Sequence, residues 1–387
     1  MNIILFDGNE YSDLLPLTFT RPVAELRMGI LTFTERWKKI LQTEKVSFLT
    51  RKYLSAKYPV CIEDNNWFIN PAYFPNLELI LSIKNLQKGE SLFSEGELIA
   101  SNLSYEDFIS RNFGRKVEIS PGSFHIQYPW DLFSYNRQAI SYDFSLITQG
   151  RNSLQLSDTV KIIGDPSRIF VEEGVLAEHV ILNTREGEIY LGKNAEIMEG
   201  SMIRGSLVMC EGAKIHMGSK VYGGTTIGPY SKIGGEVNNV VITGYSNKGH
   251  EGFLGNSVLG EWCNLGADTN SSNMKNNYAE VKCWNYTKQG FIKTGLQFAG
   301  LIMGDHSKAA ISTQFNTGTV VGVSANIFVA GFPPHLIKSF SWGGKSESPL
   351  FQINKAFEVA ERAMMRRGAE LTETDKQILT YIYEELI

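Results

Sequence analysis

Histidine is scarce in this chain, six among 387 residues, and one of the six stands where chemistry could use it. His250 lies in Asn247-Lys248-Gly249-His250-Glu251-Gly252, beside an acid and between glycines. An imidazole titrates near neutral pH, so an outward-facing one can serve as a general base. His306, in Gly304-Asp305-His306-Ser307, competes for that role. Asn264, in Asn264-Leu265-Gly266-Ala267, offers an outward amide beside a core leucine. No Ser-His-Asp or Cys-His order suggests a covalent nucleophile, so base-assisted direct attack is the simpler chemistry. Arg21 and Arg27 form a second set. Guanidinium binds phosphate well, and salt-bridged structural arginines are the equal alternative.

The elements that must position these residues are legible from a repeat. Aliphatic side chains recur at Leu191, Ile197, Ile203, Met209, Ile215, Val221, Ile227 and Ile233, always six apart. Four residues after each stands a mostly small or β-branched residue, from Ala195 and Ser201 to Ser231 and Val237. Each hexad reads as one short strand and a turn, and three hexads as one triangular coil. The aliphatic fills the axis, and stacked coils bury one continuous core. Asn239 then breaks the phase. A later phase through Val241, Phe253, Leu259 and Leu265 suggests a bulge or loop leaving the coil. An insertion from about 273 to 298, with Trp284 and Tyr286, reads as a projecting strand pair. Pro333 and Pro334 are expected to end the solenoid, and helical spacing follows in 349–367 and 373–385.

The first half reads differently. Asn2–Phe6 and Val46–Thr50 are strand candidates, and Ile30–Leu41 is a helix with Thr32, Thr34 and Glu35 at its start. Strand and helix alternation predicts a parallel α/β sheet to about residue 120. The expected domains are 1–158 for the α/β part, 159–335 for the solenoid, and 336–387 for a helical cap over its open end.

Composition excludes several classes. Lys+Arg total 37 against Asp+Glu 41, a near balance with no basic block, which argues against nucleic acid or a membrane surface as partner. Cys61, Cys210, Cys263 and Cys283 show no paired spacing, so reduced thiols in a cytoplasmic protein are expected. No basic leader or run of about 18 apolar residues predicts a signal peptide or a membrane span.

His250-Glu-Gly-Phe253-Leu254-Gly255-Asn256, followed by Asn264-Leu-Gly266-Ala267-Asp-Thr269, resembles the acetyltransferase half of a bifunctional bacterial family. That family is N-acetylglucosamine-1-phosphate uridyltransferase / glucosamine-1-phosphate acetyltransferase, with the patterns H-x-x-Y-L-G-D and N-I-G-A-G-T. The resemblance implies a nucleotidyltransferase-like (Rossmann-like) α/β domain, then a left-handed parallel β-helix with C-terminal helices. It also implies a homotrimer with active sites between subunits. The implied substrates are an amino-sugar phosphate, acetyl-CoA and a nucleoside triphosphate, with Mg²⁺ for nucleotidyl transfer. On the matched positions His250 is the general base, Phe253 stands for a tyrosine, Asn264 contacts the sugar, and Ala267 lies on the acetyl-CoA side. Lys220 and Asn238 fall where that family has basic phosphate-binding residues.

Leu15-Pro16-Leu17-Thr18-Phe19-Thr20-Arg21-Pro22-Val23 is similar to the R-P-L-T-x-x-x-P-K-P stretch of sugar nucleotidyltransferases. The glycine loop that precedes it in that family is replaced by Asn9-Glu10-Tyr11-Ser12-Asp13, and the motif lysine by Val23. Three readings therefore stand: a bifunctional transferase, an acyltransferase whose first domain only binds sugar nucleotide, and a non-catalytic trimeric scaffold.

Overall fold

The computed structural model describes residues 1–387 apart from Pro121 and Ser123. The chain divides into two compact units, most of the first lying before Pro129 and most of the second after it. Two short early segments, Leu15–Phe19 and Arg27–Ile30, group with the second unit. For Arg27–Ile30 the reason is hydrogen bonding. Asn136 accepts from the Gly29 N–H and donates to the Gly224 carbonyl, and Thr226 donates to the Gly29 carbonyl.

The first unit is a six-stranded α/β sheet. Its strands are β1 (Asn2–Phe6), β2 (Val46–Leu49), β3 (Asn66–Ile69), β4 (Glu90–Ser94), β5 (Glu97–Leu103) and β6 (Arg115–Glu118), in the order β2-β1-β3-β5-β4-β6. Every residue of β1 is buried, as a continuous apolar run requires. Helix α1 (Phe33–Leu41) starts at Thr32, which forms a capping box with Glu35. The sheet is parallel only around β1 and at its far edge. β5 runs antiparallel to β3 and β4, where an all-parallel sheet was expected. The cause is local: Glu95 and Gly96, both at positive φ, make the tight turn that folds β4 back onto β5.

From Pro129 the second unit has a short helix, Pro129–Ser134, then helix α2 (Asn136–Thr148), and continues as a parallel β-solenoid of about ten turns, of the left-handed β-helix type. All eight hexad aliphatics from Leu191 to Ile233 lie at 2% exposure or less in one core. The phase break proves to be a shortening of the coil. Ile227 pairs with Ile242, fifteen residues on, whereas Met209 pairs with Ile227, eighteen on. The strands β7 (Glu236–Gly244) and β8 (Phe253–Glu261) run across two faces, bending at Asn239 and Asn256, both at positive φ. The axial slots then fall on Val237, Ile242, Leu254 and Leu259, so Leu254 and not Phe253 enters the core. Residues 282–293 form an antiparallel pair, Lys282–Asn285 with Gly290–Lys293. Strands at Leu336–Ile337 and Trp342–Gly343 extend the solenoid beyond Pro333 and Pro334. Those prolines sit in a corner, where no ladder N–H is needed.

Two helices finish the chain, α3 (Ile353–Met365) and α4 (Glu373–Glu385). Phe351 stacks on Trp342 of the last coil at 4.6 Å, and two residues past α3 the Arg367 guanidinium donates to Asn247 Oδ1 at 3.1 Å. Helix α3 therefore runs back along one face. Ala356, Ala360 and Met364, one above another, form its buried stripe. Gly368, with φ of 69°, ends the helical turn, and its N–H bonds back to Met365.

Candidate active site

A parallel solenoid presents one outward side chain per coil on each face, about 4.8 Å apart. On the face that α3 covers, the register aligns Lys214, Lys232, Asn247, Asn264, Lys308 and Asn326 in one column. Between the middle of this column and the end of α3 lies a cleft of about 680 Å³. His250, Asn264 and Ala267 all line it, so three of the residues expected from sequence come together. His216, Lys232, Lys308, Arg366 and Arg367 line it too.

The charge of the cleft has one sign. No carboxylate is among the described residues of its lining. Burial pushes the Lys232 ammonium below the usual lysine range, helped by the charges of Arg367, Lys214 and Arg366. Burial and the Arg366 charge likewise lower Arg367. These cations repel one another, and a bound anion relieves that repulsion. Arg366 and Arg367 also stand at the C-terminal end of α3, where the helix dipole favours positive charge.

One wall is aromatic. Tyr245 stacks on Trp262 at 4.3 Å and on Tyr230 at 5.5 Å. All three are corner residues at positive φ, repeating coil by coil. Cys263 also borders the cleft, but burial pushes its thiol up to about 12. A thiol held protonated is not a nucleophile at neutral pH.

His216, like Lys232, Lys308, Arg366 and Arg367, is a lining residue that sequence reading does not single out. Its Nδ1 lies 2.7 Å from the Gly249 carbonyl oxygen. A carbonyl only accepts, so Nδ1 is the donor and carries a proton. A side chain at position 249 would press on the ring, its Cβ 3.0 Å from Cε1. The glycine beside His250 was the available signal. His306 lies outside the lining, facing the Trp262 ring at 6.4 Å.

The other expected residues are elsewhere. Lys220 and Phe253 share a column with Glu236 on a neighbouring face. Arg27 is 9% exposed and donates to the Ile30 carbonyl and toward Cys210 Sγ, which ties it into the second unit's packing. Arg21 is buried in the first unit.

In the first unit β1 is flanked by β2 and β3. A chain that crosses to opposite sides of one strand leaves a crevice at that strand's carboxyl end. Here the loop after β1 is filled by its own carboxyls. Asp7 accepts from the Val23 N–H at 2.8 Å and from the Thr50 hydroxyl at 2.5 Å. Glu10, 2% exposed, accepts from the Gly8 N–H at 3.1 Å. Burial pushes Asp7 up to about 6 and Glu10 up to about 7. His125 Nε2 lies 3.9 Å from Glu10, and burial pushes His125 down to about 4. Near neutral pH this contact is therefore weakly charged on both sides. Among the described residues no group of three or more His, Cys, Asp or Glu could hold a metal ion.

Residues 3–152 match the family described as sugar nucleotidyl transferase. The acetyltransferases YaiX of Escherichia coli K12 and of Escherichia coli O6:K15:H31, both uncharacterized, are each 27% identical over 154 residues. The alignments cover 39% of this chain and 66% of the relatives, just under two thirds of their length. These likenesses support a transferase. Among solved structures, the polySia specific acetyltransferase NeuO overlaps 53% of this chain and 98% of its own at 12% identity, with a TM-score of 0.28. UDP-N-acetylglucosamine acyltransferase from Campylobacter jejuni overlaps 59% and 96% at 10% identity, with a TM-score of 0.21. Overlaps that loose carry no functional argument. No helix among the described residues is long and apolar enough to cross a membrane.

Proposed function

We propose that the protein transfers an acetyl group from acetyl-CoA to the amine of an amino-sugar phosphate, glucosamine-1-phosphate being the first to try. The carrying observation is one cleft that joins two imidazoles, an outward amide and four cations without a carboxylate. Lys232, Arg366 and Arg367 suit a phosphate or pyrophosphate group. Ala267 and the exposed Ile311 suit the apolar arm of the acyl carrier. The donor supplies an acyl carbon activated as a thioester. His250 takes the proton from the acceptor's ammonium, the freed amine attacks the thioester carbon, the carbon–sulfur bond breaks, and CoA leaves as a thiol that takes the second proton of the nitrogen. The Asn264 amide donates to a sugar hydroxyl or to the developing oxyanion.

The test mixes the protein with acetyl-CoA and a panel of amino-sugar phosphates and follows free thiol. Release with one acceptor and not with its unphosphorylated form supports the reading. No release with any acceptor rejects it. The homotrimer implied by the resemblance belongs to the same proposal, and sedimentation equilibrium measures it.

The likeness over 3–152 supports a coupled second step, nucleotidyl transfer from a nucleoside triphosphate and Mg²⁺ onto the sugar-1-phosphate. One observation favours a different reading of that unit, binding of sugar nucleotide without catalysis. The Glu10 carboxyl occupies the Gly8 N–H at the end of β1, a backbone donor that a phosphate would otherwise take. Pyrophosphate release from UTP or dTTP with several sugar-1-phosphates distinguishes the two.

A further inference from the structure

Position 248 is an axial slot of the solenoid. Lys248 pairs with Ile233, which pairs with Ile215, and it follows Asn247, which pairs with Asn264, so Leu265 continues its column. Its neighbours in that column are thus aliphatic, yet the slot holds a lysine at 2% exposure. A buried ammonium is costly unless it is hydrogen-bonded, and Lys248 Nζ donates to the His250 carbonyl at 2.6 Å. The carbonyl one residue earlier, that of Gly249, accepts from His216 Nδ1 at 2.7 Å. Two side chains therefore hold consecutive carbonyls of the turn that carries His250, one from the core and one from two coils earlier.

We propose that Lys248 and His216 are positioning residues that fix the backbone at Gly249–His250 and so aim the His250 imidazole into the cleft. This rests on the proposed acyl transfer at that cleft. An aliphatic side chain in the slot packs at least as well as a lysine, so stability alone does not account for Lys248. A loosened turn moves the imidazole, and misplacement of about 1 Å costs on the order of a hundredfold in rate.

The experiment compares wild type with K248M, H216A and H216N. Lys248→Met should leave the melting temperature unchanged or higher, while kcat falls roughly tenfold to a hundredfold and KM stays within about twofold. His216→Ala should lose kcat similarly. His216→Asn should recover most of it, because an amide N–H can reach the Gly249 carbonyl. The His250 ring resonances, followed by NMR, should shift in K248M and H216A. Wild-type kcat in K248M with unmoved His250 resonances overturns the proposal. Activity in H216N as low as in H216A overturns it for His216, which would then act through Nε2. If wild type releases no thiol with any acceptor, the acyl-transfer reading fails, and the NMR comparison still decides whether the clamp exists.

Discussion

The solenoid cleft and the loop after β1 both gather titratable side chains, but they settle the charges in opposite ways. The cleft collects Lys232, Lys308, Arg366 and Arg367 and supplies no carboxylate to its lining. The loop collects Asp7 and Glu10 and satisfies them from within, with the Val23 and Gly8 N–H groups and the Thr50 hydroxyl. Unbalanced charge around an open volume is an invitation to an opposite ion. Balanced, buried carboxyls hold a loop shut. The contrast teaches that the two units have diverged in how they treat anions, and it predicts which mutations disturb chemistry and which disturb folding.

The largest effect belongs to His250. His250→Ala should lower thiol release about 10²- to 10⁴-fold, as removal of a general base does. Turnover equal to wild type would take the base away from His250 and leave the cleft as a binding site only.

Next is the core beneath the cleft. Ile215 has no exposure and sits in the same axial column as Ile233. Ile215→Ala should destabilise by about 2–5 kcal/mol, read from urea unfolding. A change under about 1 kcal/mol would mean that the coil collapses around the gap and that the cleft has no rigid floor.

The cations come third. Removing Arg366 and Arg367 together should raise KM for a phosphorylated acceptor by about tenfold or more, at about 1.5–3 kcal/mol per charged hydrogen bond. It should also abolish the thermal stabilisation that inorganic phosphate gives to wild type. If phosphate does not stabilise wild type, the contrast between the two regions loses its first half.

The smallest effect tests the loop. Glu10 has a folded pKa near 7, raised by burial from 4.5. A carboxyl whose folded pKa is raised binds protons more tightly in the native state. Its contribution is fully present below about pH 4.5 and is lost as pH rises through 7. Asp7, near 6, works in the same direction. His125 works in the opposite one, because its pKa is lowered to about 4 and the native state resists its protonation below 6.5. Glu10→Gln keeps the acceptor for the Gly8 N–H and removes the titration. It should therefore be more stable than wild type at pH 8 by about 1–3 kcal/mol, and nearly equal to it at about pH 3.5, below the unfolded pKa. A gain that is the same at both pH values would show that the carboxyl is not buried against its charge.

Much of this was legible without coordinates. The hexad aliphatics found the solenoid because a six-residue period matches neither helix nor flat sheet. Thr32 and Glu35 marked the start of α1, and 373–385 read correctly as a helix, because caps and amphipathic spacing are local. His250, Asn264 and Ala267 shared one short stretch and one cleft. What failed was register. The repeat alone puts Phe253 in a core slot, because a shortened coil and an inserted loop leave the same trace in a repeat, a shift of phase. The antiparallel β4–β5 pair hid behind a turn of only Glu95 and Gly96.

The sequence by itself determined the periodic core, the order of the two architectures and the placing of His250 on an outward turn, because each depends on neighbours within about twenty residues. Only the tertiary structure decided that α3 lies along the solenoid face, with Arg366 and Arg367 over Lys232. It alone put His216 against Gly249 and Lys248 in the axis. Those contacts join residues from separate coils or from opposite ends of the second unit, and stacking geometry, not local preference, brings them together.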